Sequence, residues 1–194
     1  MFVRRILLSL LGATTLIGSL LLNPVTFAMP RLVSPLSPLP AGAPLCFTAT
    51  SSGITLTALG YVKQPGGNVT LTLEVKNGNK EAISAVSLGA AGWTPVEPAT
   101  GTTVTSKLGK MRVTWVDNKG TKLVKFEPAA NSFAQNKSEL FALTLKGFAA
   151  NTPVQVQIKN SRATSDLKAD LKKPACDRTA QQPVSPLVTP TKKP

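Results

Sequence analysis

Residues 67–78 read Gly-Asn-Val-Thr-Leu-Thr-Leu-Glu-Val-Lys-Asn-Gly, and this segment predicts a β-strand held between two turns. Successive side chains of a strand point to opposite faces, so a half-buried strand alternates apolar and polar residues. A helix would instead place its apolar residues three or four positions apart. The segment follows the strand period, with four apolar residues on one face: Val69, Leu71, Leu73 and Val75.

The same period of two recurs later in the chain. Apolar and polar residues alternate in 141–146 and again in 154–159, so each segment predicts a half-buried strand. Weaker alternation predicts further strands, which brings the expected number to about seven, at 53–62, 82–88, 110–116 and 122–126. Within the core region we expect no helix beyond a single turn in 163–173.

Turn residues separate these strands. Residues 64–67 read Gln-Pro-Gly-Gly, residues 77–79 read Asn-Gly-Asn, and residues 117–120 read Asp-Asn-Lys-Gly. Glycine and asparagine adopt the positive backbone angles that tight turns need, so 117–120 predicts an antiparallel hairpin. Short alternating strands with frequent turns predict an all-β, antiparallel two-sheet sandwich. An up-and-down barrel is the alternative, disfavoured by the long connection at 89–109.

A family resemblance supports the sandwich. The turn, strand and Asn-Gly turn of 67–78, followed by Ala-Val-Ser-Leu at 85–88, resemble the opening of bacterial immunoglobulin-like surface repeat domains of the conserved-repeat and adhesion-related types. Residues 138–146 are similar to their later hydrophobic strand. The resemblance implies an immunoglobulin-like sandwich and a surface or secreted module that binds or spaces. It covers about a third of the chain and transfers no site residues.

The amino terminus carries the three parts of a secretory signal peptide. Arg4 and Arg5 form a basic tip, residues 6–22 are an apolar run, and small residues lead to Ala28. We therefore expect residues 1–28 to direct export and to be cleaved after Ala28. The alternative is an uncleaved anchor, because the apolar run approaches the shortest length that spans a bilayer.

Proline-rich segments flank the region that is expected to fold. Proline has no backbone donor and stiffens the chain, so such segments predict extended linkers. The expected organisation is a linker at 29–45, a folded domain at 46–176 and a tail with proline and lysine at 177–194.

Two cysteines, Cys46 and Cys176, lie at the two ends of the expected domain. An exported chain enters an oxidising compartment, where an even number of cysteines favours a disulfide. We expect one bond between them, and free or intermolecular thiols are the alternative.

The chain is strongly basic, with 22 Lys and Arg against 9 Asp and Glu and a net charge of +13. Loss of Arg4 and Arg5 with the signal would leave +11. Such a charge attracts polyanions, and outside a cell these are acidic polysaccharides and anionic lipids rather than nucleic acid. The lysines are scattered along the sequence, so a solvated surface is the alternative.

The sequence lacks the residues that several kinds of catalysis and metal binding require. The sequence has no histidine, which removes the usual activated nucleophiles and the imidazole ligands of copper and zinc. None of the nine acids has catalytic or metal-ligand spacing, although Asp166 and Asp170 leave a calcium loop as an alternative. We therefore predict no catalytic residue, no metal site and no cofactor, and we do not expect an enzyme.

Two tryptophans differ in context. Trp115 falls in register with the apolar residues of its strand, which predicts core packing. Trp93 lies in a segment rich in glycine and proline, where it is a candidate ligand contact or, alternatively, a plug on the sandwich end. Asn68 and Asn136 each begin an Asn-x-Ser/Thr sequence, a potential glycosylation site in hosts that modify exported chains.

These observations predict an exported, noncatalytic module that binds or spaces at the cell surface or in the extracellular space. Its partner is expected to be a protein or a glycopolymer. The alternative function is a basic domain that recognises an acidic polysaccharide or an anionic lipid. Membrane contact is expected only through an uncleaved signal or through electrostatic attraction.

Overall fold

A computed structural model describes residues 45–179 of the protein. The predicted signal and nearly all of the predicted linker and tail lie outside these residues. The described residues form eleven strands and one short 3-10 helix, Pro174–Cys176. In chain order the strands are β1 Phe47–Ser51, β2 Ile54–Lys63, β3 Val69–Asn77, β4 Ile83–Gly89, β5 Thr94–Glu97, β6 Thr103–Ser106, β7 Gly109–Asn118, β8 Thr121–Pro128, β9 Ser138–Lys146, β10 Val154–Asn160 and β11 Thr164–Ala169.

The strands form two antiparallel sheets. The first sheet has the order β1-β2-β3-β9-β5, and the second has the order β11-β10-β4-β8-β7-β6. Every neighbouring pair within a sheet is antiparallel. The predicted all-β class and the antiparallel sandwich are therefore confirmed.

The apolar faces of the two sheets meet in one core. In β3, the residues that the alternation assigned to the core are all buried, and Leu71 pairs directly with Leu143 of β9. In the second sheet, Val86 of β4 lies between Ile158 and Phe126 on its two neighbours, and all three are buried. Complete burial of such a side chain contributes about 1.5–3 kcal/mol, so this interior is the main source of stability.

The number of strands exceeds the expected seven because four were not predicted. Strands β5 and β6 lie within 89–109, which the sequence presented as a connection, and each has only four residues. Strand β1 has five residues, and it also carries few apolar side chains. All three form sheet edges, where one neighbour supplies the ladder and a strong apolar alternation is not needed.

The predicted helical turn in 163–173 is wrong. Thr164–Ala169 form β11, in which Leu167 and Ala169 are buried opposite Val156 and Val154 of β10. The two buried residues are spaced two apart, so pairing with β10 favours a strand. The 3-10 helix begins at Pro174, after the predicted segment.

The hairpin predicted at 117–120 is confirmed. Asn118 of β7 pairs with Thr121 of β8, and the two residues between them have positive φ, 52° at Lys119 and 80° at Gly120. The Asp117 carboxylate accepts a hydrogen bond of 2.8 Å from the Gly120 amide. Within residues 45–179, no helix is both long and apolar enough to cross a bilayer.

Candidate functional site

The two ends of the described chain are covalently joined. Cys46 and Cys176 form the predicted disulfide, and their Cα atoms lie 4.6 Å apart although 130 residues separate them in sequence. Neither cysteine is free. The start of β1 and the end of the 3-10 helix therefore lie at almost the same point.

Residues 177–179 continue along β2, and we call this segment the C-terminal clasp. Asp177 forms a parallel bridge with Tyr61, and the Arg178 amide donates to the Tyr61 carbonyl at 2.8 Å. The Lys63 amide donates to the Thr179 hydroxyl at 2.9 Å. The sequence had assigned these residues to the tail, and the structure pairs them with the sheet.

Gly60 makes the close approach of the clasp possible. It follows a bulge in the β2–β3 pairing and has a φ of 128°. A Cβ at this position would lie 2.6 Å from the Cys176 carbonyl oxygen and 2.8 Å from Cγ of Arg178. Arg178 is buried, and its guanidinium donates to the Leu59 carbonyl at 3.2 Å. A residue without a side chain is therefore required where the C-terminal segment crosses β2.

An ion pair reinforces the clasp. Lys63 Nζ lies 2.8 Å from the Asp177 carboxylate. Burial of Asp177 opposes its ionisation, but hydrogen bonds from Lys63 and Thr179 outweigh that cost and lower its pKa to about 2. The same hydrogen bond from Lys63 raises the lysine pKa. Burial, followed by the charge of Asp177, raises the pKa of Tyr61.

Trp93 lies in an aromatic cluster at the end of the sandwich. Its ring is 4.9 Å from that of Phe148, which in turn is 4.5 Å from that of Tyr61. The Trp93 side chain is 3% exposed and belongs to the core, immediately before β5. Its indole nitrogen is buried without a hydrogen-bond partner. This is the position that the plug alternative predicts, so contact with a ligand would first require the indole to leave the core.

Trp115 is half-buried and packs against the edge of the core. Its indole nitrogen donates to the Pro98 carbonyl at 3.0 Å. Of the two potential glycosylation sites, Asn136 is exposed in a turn with a φ of 62°, and Asn68 is half-buried just before β3. Glycosylation of either residue stays a prediction.

The calcium-loop alternative relied on Asp166 and Asp170. Asp166 is exposed on β11, and the Asp170 carboxylate accepts a hydrogen bond of 3.0 Å from the Lys172 amide. Across residues 45–179, no three acidic, cysteine or histidine side chains lie together as metal ligands. A calcium loop usually presents several acids within a dozen residues, and this part of the chain does not provide that set.

The outer face of the second sheet carries a groove that the sequence did not reveal. It has a volume of about 250 Å³ and runs beside the middle of the sheet. We call it the β4 groove, since two residues of β4 line it and the other five come from the strands around it: Ala85, Ser87, Val116, Lys125, Gln157, Lys159 and Thr164.

Strand register brings the groove residues together. Ser87 pairs with Lys125 of β8 on one side and with Gln157 of β10 on the other. One step along β4, Ala85 pairs with Lys159. The signal available in the sequence was the run of small residues at alternate positions of β4, but their partners lie 38 to 74 residues away and only the sheet order identifies them.

The polar side chains of the groove differ in the hydrogen bonds and ion pairs that they form. Ser87 is 8% exposed, and its hydroxyl makes no side-chain hydrogen bond with the described residues. Lys125 forms an ion pair with Glu127, which also binds Arg112 at 2.8 Å. Hydrogen bonds from Lys125 and then Arg112 lower the pKa of Glu127. The groove thus combines two lysines, an amide and two hydroxyls with no carboxylate in its lining.

Comparison with known proteins adds likeness in fold alone. No protein-family model matches the sequence, and no curated protein matches it either. Among solved structures, the chain is similar to a non-cellulosomal cohesin from the archaeon Archaeoglobus fulgidus, with 8% identity, a TM-score of 0.34, and coverage of 57% of this chain and 86% of the cohesin. It is also similar to an uncharacterised protein from Nocardia farcinica with an immunoglobulin-like fold, with 13% identity, a TM-score of 0.34, and coverage of 64% and 92%.

Proposed function

We propose that this protein is an exported, noncatalytic β-sandwich module that presents a binding face at the cell surface or in the extracellular space. The observation that carries the proposal is the disulfide at the two ends of the described domain, where the Cα atoms of Cys46 and Cys176 are 4.6 Å apart. A domain whose first and last residues are joined in this way is connected to the flanking segments at a single point.

The joined ends favour binding over spacing. A spacer lengthens the connection between its two flanking segments, so its ends should lie at opposite poles. Here Cys46 and Cys176 are 130 positions apart in sequence, and their Cα atoms lie 4.6 Å apart. The folded unit therefore adds almost no length, and its contribution is the surface that it displays.

Export is supported by the signal-like residues 1–28 and by the disulfide, since such bonds persist in oxidising compartments. Labelling of intact cells with a membrane-impermeant amine reagent tests it. We expect the protein to be labelled without lysis, while a cytosolic marker in the same sample stays unlabelled. Labelling that requires lysis would contradict the proposal.

Recognition of an acidic ligand is the second candidate function. The observation that favours it is the β4 groove, which is lined by Lys125 and Lys159 and by no acid. Long-range attraction by the basic chain would add to such binding. Retention on an acidic polymer should fall steeply between low and physiological salt, because ions screen charges over about 10 Å at 0.1 M. Absence of retention at low salt would remove this candidate.

A further inference from the structure

We propose that the β4 groove binds one acidic sugar residue of an anionic polysaccharide. The proposal rests on the second candidate function and names its site and its ligand class. Four features carry it: a row of donors across three strands, a serine hydroxyl that no protein side chain binds, the volume of the groove and the composition of its walls.

The donors form a row across the sheet. Lys125, Ser87 and Gln157 occupy directly opposed positions on β8, β4 and β10. Neighbouring strands lie about 4.8 Å apart, so the row places a cation and an amide on either side of the hydroxyl. Lys159 lies one step further along, about 7 Å from Gln157, and supplies a second cation. A carboxylate with adjacent hydroxyls matches this mixture of charged and neutral donors.

Ser87 is the feature that points most directly to a ligand. A serine hydroxyl can both donate and accept a hydrogen bond, so one that no protein side chain binds is available to a ligand. Ser87 is 8% exposed and lines the groove, and its hydroxyl makes no side-chain hydrogen bond with the described residues. A sugar hydroxyl or carboxylate in the groove would bind it in place of solvent.

The surrounding charges leave an excess of cations. Glu127 binds both Lys125 and Arg112, and Asp166 lies opposite Gln157 on the edge strand β11. Because Arg112 shares Glu127, one carboxylate serves two cations and part of the Lys125 charge remains for a ligand. Lys159 forms no ion pair in the described part of the chain.

The dimensions and the walls favour a sugar over a lipid. A volume of about 250 Å³ is below the roughly 300–1,000 Å³ of pockets for drug-sized molecules, so the groove suits one residue of a longer chain. Val116 offers an apolar wall for the C–H face of a sugar ring. The large apolar side chains exposed within residues 45–179 are Leu45 and Val96, and neither lines the groove. Nothing on this face would insert among acyl chains.

The test measures binding of oligogalacturonate to the purified chain with its disulfide intact. A neutral oligosaccharide of equal length and vesicles rich in phosphatidylglycerol serve as comparison probes. We expect oligogalacturonate to bind and the double variant Lys125→Gln/Lys159→Gln to bind about tenfold more weakly, since it loses two charge-assisted contacts. Lys76→Gln/Lys137→Gln removes the same charge from exposed positions outside the groove and should weaken binding less than about twofold.

Ser87→Ala provides a variant that leaves the charge unchanged. It should weaken binding about threefold, the loss of one neutral hydrogen bond, without lowering the melting temperature. Equal losses of affinity in the two double variants would refute the groove as the binding site. Equal binding of the neutral oligosaccharide would also refute the proposal. Binding to vesicles without binding to oligogalacturonate, or to none of the probes, would also refute it. These outcomes use purified protein, so they are distinct from failure of the surface-labelling test.

Discussion

Cys46 and Cys176 hold the two ends of the described chain 4.6 Å apart at their Cα atoms, and the whole sandwich lies between them in sequence. Force applied to the flanking segments would therefore pass from one cysteine to the other through the covalent bond. The two sheets lie outside that path. Within residues 45–179, the part of the chain beyond the disulfide that pairs with β2 is the clasp at residues 177–179.

The first prediction concerns this path. Pulled by its two termini in a single-molecule experiment, the oxidised protein should show no extension from unfolding of the sheets. The reduced protein should lengthen by about 45 nm, because 130 residues extend by roughly 3.5 Å each. The variant Cys46→Ser/Cys176→Ser should behave like the reduced protein under oxidising conditions. A 45 nm extension of the oxidised protein would contradict the prediction.

The second prediction concerns acid. The folded-state pKa of Asp177 is about 2, below its ordinary value of 3.8, so its contribution to stability is present above pH 3.8. That contribution should be lost as the pH falls from 3.8 towards 2. In Asp177→Asn, the free energy of unfolding from urea titrations should vary less with pH over this window. Glu127 also has a lowered pKa, so Glu127→Gln measures its separate share. An unchanged pH profile in Asp177→Asn would argue against the Lys63–Asp177 pair.

The third prediction concerns Trp93. Removal of a large buried side chain leaves a cavity, so Trp93→Ala should lower the free energy of unfolding by about 3–5 kcal/mol. Trp93→Phe should cost less, because it keeps an aromatic ring beside Phe148 and removes the unpartnered indole nitrogen. Urea denaturation measures both. Binding of oligogalacturonate should be unchanged in Trp93→Phe, and a marked loss would restore the ligand-contact hypothesis.

The fourth prediction concerns Gly60 and separates two effects of a substitution there: a steric clash with the clasp and the strain of a positive φ. Gly60→Ala should destabilise the protein by about 1–3 kcal/mol, since its new methyl group would meet the Cys176 carbonyl and Arg178. Gly66→Ala is the matched control, because Gly66 also has positive φ, 87°, but nothing lies within 4 Å of its Cβ position. Urea denaturation of both variants gives the difference. Equal losses would show that the clasp does not constrain Gly60.

Local patterns were sufficient where one face of a strand meets the core. The alternation of β3, β9 and β10 predicted their type and their buried apolar residues, because the side-chain period of a strand is two in any sheet. It did not predict that Thr70, Thr72 and Thr144 on the opposite face are also buried. The Asp-Asn-Lys-Gly turn predicted its hairpin for an equally local reason. The edge strands β5 and β6 were not predicted, since four residues with one ladder partner carry little pattern.

The candidate site could not be predicted from local patterns. The sequence determined the antiparallel sandwich, the pairing of two cysteines and the basic charge, all of which depend on composition or on neighbours in the chain. Only the tertiary structure decided that Trp93 is buried and that Ser87 lies between Lys125 and Gln157. Those positions depend on strand order and register, which arise from packing between segments far apart in sequence, and no local period encodes them.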